Sequence, residues 1–250
     1  MIFLKKTSWF TTITTLFIVV IIFLAAAACG KHDEDGLILF AEVENASKYS
    51  DVVEVKLMMN VREYGPNIEL ARGVWKDGGF IMMFPKKMYP NYLHALVDKN
   101  KLQPTITDIS STMFISNKKV KIWNAQFWGL DQDGNVVTRF FPFELDKDGI
   151  AKAVFYTYSD SYVTISGHTE RAGDMITEFH NEKFIHSDPH PIWFDKITTN
   201  YSVNWKRGWN VWSYSRFVNT SVATEKWSST PFIEVKWYGS EDFWDINRIF

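Results

Sequence analysis

Ile68-Glu69-Leu70-Ala71-Arg72-Gly73-Val74-Trp75-Lys76-Asp77-Gly78-Gly79-Phe80-Ile81-Met82-Met83-Phe84 is the stretch that decides the fold. Two apolar runs flank Asp77-Gly78. That dipeptide is a hairpin signal, because glycine takes a positive φ without steric cost. Pro85 then stops the second run, since proline cannot donate to a ladder. Just upstream, Val53, Val55, Leu57 and Met59 alternate with Glu54, Lys56 and Met58, the period of a half-buried strand.

The same grammar continues along the chain. Lys119–Trp128 alternates, and Asp131-Gln132-Asp133-Gly134-Asn135 turns it into Val136–Phe141. Asp146-Lys147-Asp148-Gly149 turns again into Ala151–Tyr158. Tyr162–Gly167, Asn200–Trp205, Trp209–Tyr214 and Phe232–Tyr238 follow, with Lys206-Arg207-Gly208 as a tight turn. Short strands with turns at this spacing point to an all-β fold, an antiparallel β-sandwich built as one large body or as two packed β units. The only helix expected beyond the N-terminal signal helix lies within Met88–Val97. Gln103-Pro104 is the best boundary, giving an N-terminal β unit over 37–104 and an aromatic-rich C-terminal unit over 105–250.

Composition narrows the classes. The chain is 46% hydrophobic and 22% charged, which is globular. Its formal charge of −2 gives no electrostatic case for nucleic acid. Twenty Phe, eleven Trp and ten Tyr favour strands and large buried areas. The single cysteine excludes an internal disulfide and any multi-cysteine metal site.

Lys5 and Lys6 precede Leu16–Ala28, thirteen residues without a polar side chain. That length suits a signal-peptide apolar core better than a spanning helix, which needs about 20 residues. Ala26-Ala27-Ala28-Cys29 resembles a bacterial lipobox, with Ala26 in place of the usual leucine. The resemblance implies a signal peptide over 1–28 and a covalent lipid on Cys29, the mature N-terminus. An acidic tether over 29–36, with Asp33-Glu34-Asp35, resembles the surface-export signal of Bacteroidota lipoproteins. Cleavage removes two lysines and no acid, so the mature chain stays mildly acidic.

Trp75-Lys76-Asp77-Gly78-Gly79-Phe80, the closing Phe84-Pro85, the spaced Tyr92-Leu93 and Lys206-Arg207-Gly208-Trp209-Asn210-Val211 together resemble uncharacterised β-rich lipoproteins of Bacteroides and its relatives. The resemblance implies address and fold, and it carries no catalytic residues.

Candidate chemistry is sparse. Asp131-x-Asp133-x-Asn135 opens like a calcium loop, but the sixth and twelfth positions hold Val136 and Pro142 rather than Gly and Glu, so a hairpin turn is expected. His186, Asp188 and His190, with His180 upstream, are the one cluster of metal-ligand types, suited to zinc or copper. Pro189 and Pro191 make that segment a surface loop, where solvated histidines are the default. No nucleophile elbow, zinc-protease helix or phosphate loop occurs. Glu241 and Asp242 are the paired carboxylates available to a glycosidase, but neighbours on an extended chain face opposite ways.

Tryptophans crowd the C-terminal half, where core filling competes with an exposed platform for sugar rings. Trp209 and Trp212, three apart on one strand, must face opposite sides, so one of them is expected outward as a ligand contact. These readings describe a cell-surface or outer-membrane lipoprotein anchored in lipid through Cys29, with surface display favoured over a periplasm-facing anchor and with a binding role whose sharper form is a glycan or host-surface ligand. The alternative is a structural subunit contacting an envelope or fimbria-like protein, and the third reading is a glycoside-active enzyme. No cofactor beyond the covalent lipid is expected.

Overall fold

A computed structural model describes residues 37–60, 67–97, 112–175, 193–219, 221–231 and 235–240. The signal, Cys29 and the acidic tether lie outside the described residues. The chain from Leu37 onward is one compact unit.

The hairpin forms as its sequence dictates. Strands β3 (Asn67–Lys76) and β4 (Gly79–Met83) close at the pair Lys76 and Gly79. Between them Asp77 and Gly78 have φ of 53° and 81°. Two consecutive positive φ values match the right-handed twist of the flanking strands. β1 (Ile38–Glu42) adds to β4, and β2 (Glu54–Asn60) adds to β3. Val55, Leu57 and Met59 are fully buried, as the alternation requires.

The run Lys121–Leu130 is one sequence segment with two partners. Its first half, β7 (Lys121–Asn124), pairs with β5 (His94–Ala95) and with β10 (Ala151–Ser159). Its second half, β8 (Gln126–Leu130), pairs with β2 and with β9 (Val136–Leu145). Ala125 marks the handover, its N–H donating to the Tyr156 carbonyl at 2.8 Å.

Late in the chain, β15 (Lys236–Gly239) pairs with β9. Val43, just past β1, bridges Trp237 in parallel, and the Glu44 N–H donates to the Trp237 carbonyl at 2.8 Å. Pairings therefore run β1-β4-β3-β2-β8-β9-β15 and return to the end of β1, enclosing a first core. That core is aromatic: Phe80, Phe84, Phe127, Phe140 and Trp237 are buried there. Phe127 meets Trp237 edge-on at 4.9 Å, and Trp75 stacks on Phe140 at 5.2 Å, geometries that aromatic pairs favour. Gly239 is required by this packing. A Cβ there would sit 2.3 Å from the ring of Tyr49, which is 1% exposed.

The sheet continues from β10 through β13 (Gly208–Asn219), β14 (Val222–Ser228), β12 (Trp193–Trp205), β11 (Val163–Met175) and β6 (Phe114–Ile115). A second core gathers Leu96, Met113, Ile115, Val120, Ile122, Val163, Ile165, Val203, Trp205 and Trp212.

The all-β, mainly antiparallel class expected from the sequence is what the structure has. Three details differ or refine it. Met88–Val97 holds only a 3-10 turn at Pro90–Tyr92, because Leu93 is already extended (φ −82°, ψ 142°) and the chain enters β5. The strands on either side of Lys206-Arg207 do not pair with each other. β14 lies between them, antiparallel to β13 and parallel to β12, and the turn arches past its end. Gln103-Pro104 lies outside the described residues. The two cores draw on strands from both sides of it, since Phe127, Phe140 and Trp237 join β1–β4 in the first core.

Candidate functional site

The alternation on β13 sends Trp209 and Trp212 to opposite faces, and each face meets a core. Trp212 is 1% exposed. It stacks on Phe155 at 4.7 Å, and its indole N–H donates to Thr157 Oγ1 at 2.7 Å. The Thr157 hydroxyl donates in turn to the Asn124 side-chain carbonyl. Trp209 is half-buried against the first core. It touches Phe84 at 4.7 Å and Tyr158 at 5.5 Å, and donates to the Pro85 carbonyl at 2.7 Å. The expected outward indole is thus covered, because β10 and β13 form a wall between two cores. Neither residue is an open platform.

The most developed polar constellation lies elsewhere on the same strands. In register, Arg216 of β13 faces Glu225 of β14, and Thr199 of β12 faces it from the other side. Glu225 is 6% exposed. Its Oε1 accepts from Arg216 Nη2 at 2.5 Å, Arg216 Nε at 3.1 Å and the Tyr214 hydroxyl at 3.0 Å. Its Oε2 accepts from the Thr199 hydroxyl at 2.8 Å. Burial pushes the carboxyl upward, but the Arg216 charge and these hydrogen bonds outweigh it and hold the group below its ordinary value. Glu225 is therefore a fixed anion and is unsuited to donate a proton.

Around this pair stand half-buried rings. Two residues along from Glu225, Trp227 meets Tyr201 at 5.2 Å and Trp212 at 4.8 Å. Phe155 meets Tyr214 edge-on at 6.4 Å. These rings pack against the edge of the second core, with the Arg216–Glu225 pair and its two hydroxyl donors at one end. Sequence reasoning missed this cluster. Its signal was the polar–aromatic alternation Tyr214-x-Arg216 opposite Glu225-x-Trp227, visible only once the β13/β14 register is known.

The acidic turns prove self-satisfied. Asp131 Oδ1 accepts from the N–H groups of Asp133 and Asn135 at 2.9 and 2.8 Å, while Oδ2 accepts from the Asn135 amide at 3.0 Å. Asp146 Oδ1 accepts from Asp148 and Ile150, both at 2.9 Å, and Oδ2 pairs with Lys152 at 3.1 Å. The Asn135 side chain holds Asp131 below the usual carboxylate range, and the Ile150 N–H does the same for Asp146. Among the described residues no three ligand-type side chains converge as a metal site. His186, Asp188 and His190, and the pair Glu241 and Asp242, lie outside the described residues.

One other cation stands out. Arg139 lies over the Trp128 ring at 4.9 Å, and burial pushes its guanidinium down. It has no carboxylate partner among the described residues. Compared with known proteins, the chain matches no family model, no curated relative and no solved structure.

Proposed function

We propose that the chain is an exported lipoprotein, anchored in the outer membrane through acyl chains on Cys29 and displayed at the cell surface, whose β body binds a glycan. The address follows from the lipobox-like Ala26-Ala27-Ala28-Cys29, the short apolar run before it and the acidic tether after it. The binding role is carried by one observation: half-buried Tyr201, Tyr214 and Trp227 adjoin the half-buried Arg216 and its buried partner Glu225. Rings and fixed charges on one rigid sheet favour recognition over catalysis, since Glu225 is locked as an anion by Arg216. The likeness to β-rich Bacteroides lipoproteins supports the same address.

Metabolic labelling with a palmitate analogue tests the anchor: wild type takes up label, and Cys29→Ser does not and keeps its signal. Normal maturation of that variant overturns the lipid reading. Replacing Asp33, Glu34 and Asp35 by Ala tests export, with protease access on intact cells as the readout. Titrating polysaccharides against tryptophan fluorescence tests binding. Saturable quenching that Trp227→Phe weakens supports the site, and flat titrations across a broad polysaccharide panel count against it.

A further inference from the structure

β1 and β4 are apolar on both faces. Leu39, Ala41, Phe80 and Met82 point into the first core and are nearly unexposed. The intervening residues ought to be polar on a strand with one wet face. Instead Ile38 is 52% exposed, Phe40 67%, Ile81 55% and Met83 62%, and Val74 on β3 is 68% exposed. Register makes these one patch. Val74 pairs with Ile81 and Ile81 with Phe40, while Met83 pairs with Ile38 in the next row. Five large side chains in two adjacent rows expose roughly several hundred Å², the scale at which apolar surface on a soluble body marks a contact. Arg72 and Lys76 flank Val74 on the same face of β3, but Arg72 pairs with Glu54 and Glu69 and Lys76 with Asp77, and Glu42 continues the Phe40 row of β1, so the apolar rows have a border of mixed charge.

We propose that this patch rests on the outer leaflet of the membrane to which Cys29 is attached. The inference depends on the lipid anchor proposed above. Eight residues separate Cys29 from Ile38. Fully extended, that connection spans about 30 Å. Ile38 and Phe40, the first apolar residues of the body, are therefore held within one short tether of the bilayer. An apolar patch of this size, held this close to the anchor and rimmed by paired charges, matches a leaflet, with its rows against the acyl region and the charged rim at headgroup level. Docking here would fix the orientation of the body on the membrane.

The test uses the full mature protein, acylated and reconstituted in vesicles of phosphatidylethanolamine with a minority of phosphatidylglycerol. Lipidation consumes the only native thiol, so Val74→Cys accepts a polarity-sensitive fluorophore uniquely, and Ser202→Cys, at an exposed side-chain position of β12, is the control. Val74 is exposed, so the change leaves the core intact. The expected result is a blue shift at position 74, quenching by nitroxides on acyl chains and little quenching by aqueous iodide, with position 202 behaving oppositely. Phe40→Ser with Ile81→Ser should abolish the shift while the protein still floats with the vesicles. A floating protein whose position 74 stays in water overturns the docking and leaves the anchor standing. If the chain proves unacylated, Cys29→Ser is added so that position 74 is again the only thiol, and that labelled protein is mixed with the same vesicles. A shift then supports docking without the anchor, and none overturns it. Shielding that grows with protein concentration in the absence of lipid assigns the patch to a second copy and also overturns the proposal.

Discussion

Glu225→Gln removes a charge while keeping the shape of the side chain. In the folded protein the Arg216 guanidinium contacts Glu225 Oε1 at 2.5 Å, with the two side chains 16% and 8% exposed. Glutamine leaves that half-buried cation without an anion. It also places an NH₂ among the donors from Thr199, Tyr214 and Arg216, so one hydrogen bond becomes a donor–donor clash. Breaking one side of a buried ion pair costs about 3–5 kcal/mol. For a body of about 200 residues, each kcal/mol moves Tm by about 2–4 °C, so a fall of about 6–20 °C is expected near neutral pH. The pH dependence has a definite sign. The folded carboxyl titrates below its unfolded value, so its contribution is present above the unfolded pKa of about 4.3 and is lost as pH falls through the folded value. Wild type should therefore lose stability on acidification more than Glu225→Gln, and the two melting curves should converge at low pH. Circular dichroism melts of both proteins from pH 7 downward read this directly. Replacing both partners, Arg216→Met with Glu225→Leu, should recover most of the loss. A Tm change of a degree or two for Glu225→Gln, or one constant across the pH range, would refute the reasoning that Glu225 is a buried, ionised partner of Arg216.

Trp209→Ala and Trp212→Ala should each cost about 3–5 kcal/mol in denaturant unfolding, since each indole fills a core and donates a hydrogen bond. A near-neutral Trp209→Ala would mean that its face is open after all. Burial pushes the Tyr156 hydroxyl up to about 12, so its neutral form contributes stability below the unfolded value of about 10 that is lost as pH rises through the folded one. Absorbance titration near 295 nm should show this tyrosine ionising late, together with alkaline unfolding. Gly239→Ala should destabilise by about 1–3 kcal/mol through the clash with Tyr49, and Tyr49→Ala in the same background should remove the clash, which a double-mutant cycle on thermal melts detects.

Strand existence was legible wherever one face is wet and a turn residue fixes the end. The Asp77-Gly78 hairpin and the turns at Asp131 and Asp146 are local devices, and each forms from the residues that announce it. Met88–Val97 was misread as helical because Pro90 does start a turn, and only the pairing of His94 and Ala95 with β7 shows that the chain leaves it at once. The place of β14 between β12 and β13 was not legible at all. A tight turn between two strands ordinarily makes a hairpin, and the insertion depends on where a later strand finds its partners. The same long-range pairing creates the candidate site, since Thr199, Arg216 and Glu225 are separated in sequence and meet only through the β13-β14-β12 register.

Period-two patterning reports which residues share a face, and it is silent on what that face meets. On β13 the parity of Trp209 and Trp212 was right, yet the second face met another core rather than water. On β1 and β4 the failure runs the other way. Ile38, Phe40, Ile81 and Met83 belong in a core by their chemistry, and no described residue covers them. Both departures concern faces whose neighbour is not set locally. For β13 the neighbour is a distant part of the same chain, supplied by the wall that β10 and β13 build between two cores. For β1 and β4 no described part of the chain fills the role, which is why an external apolar surface is the natural place to look for it. The aromatic excess divides along the same line. Many of the described rings fill one core or the other, and the half-buried group around Glu225 packs at the edge of the second. If the β1-β4-β3 patch lies against the leaflet, the two surfaces have separate tasks, one orienting the body and the other receiving the ligand. Variants in one should then leave the readout of the other unchanged: Phe40→Ser with Ile81→Ser should alter membrane shielding without altering polysaccharide-dependent fluorescence, and Trp227→Phe should do the reverse.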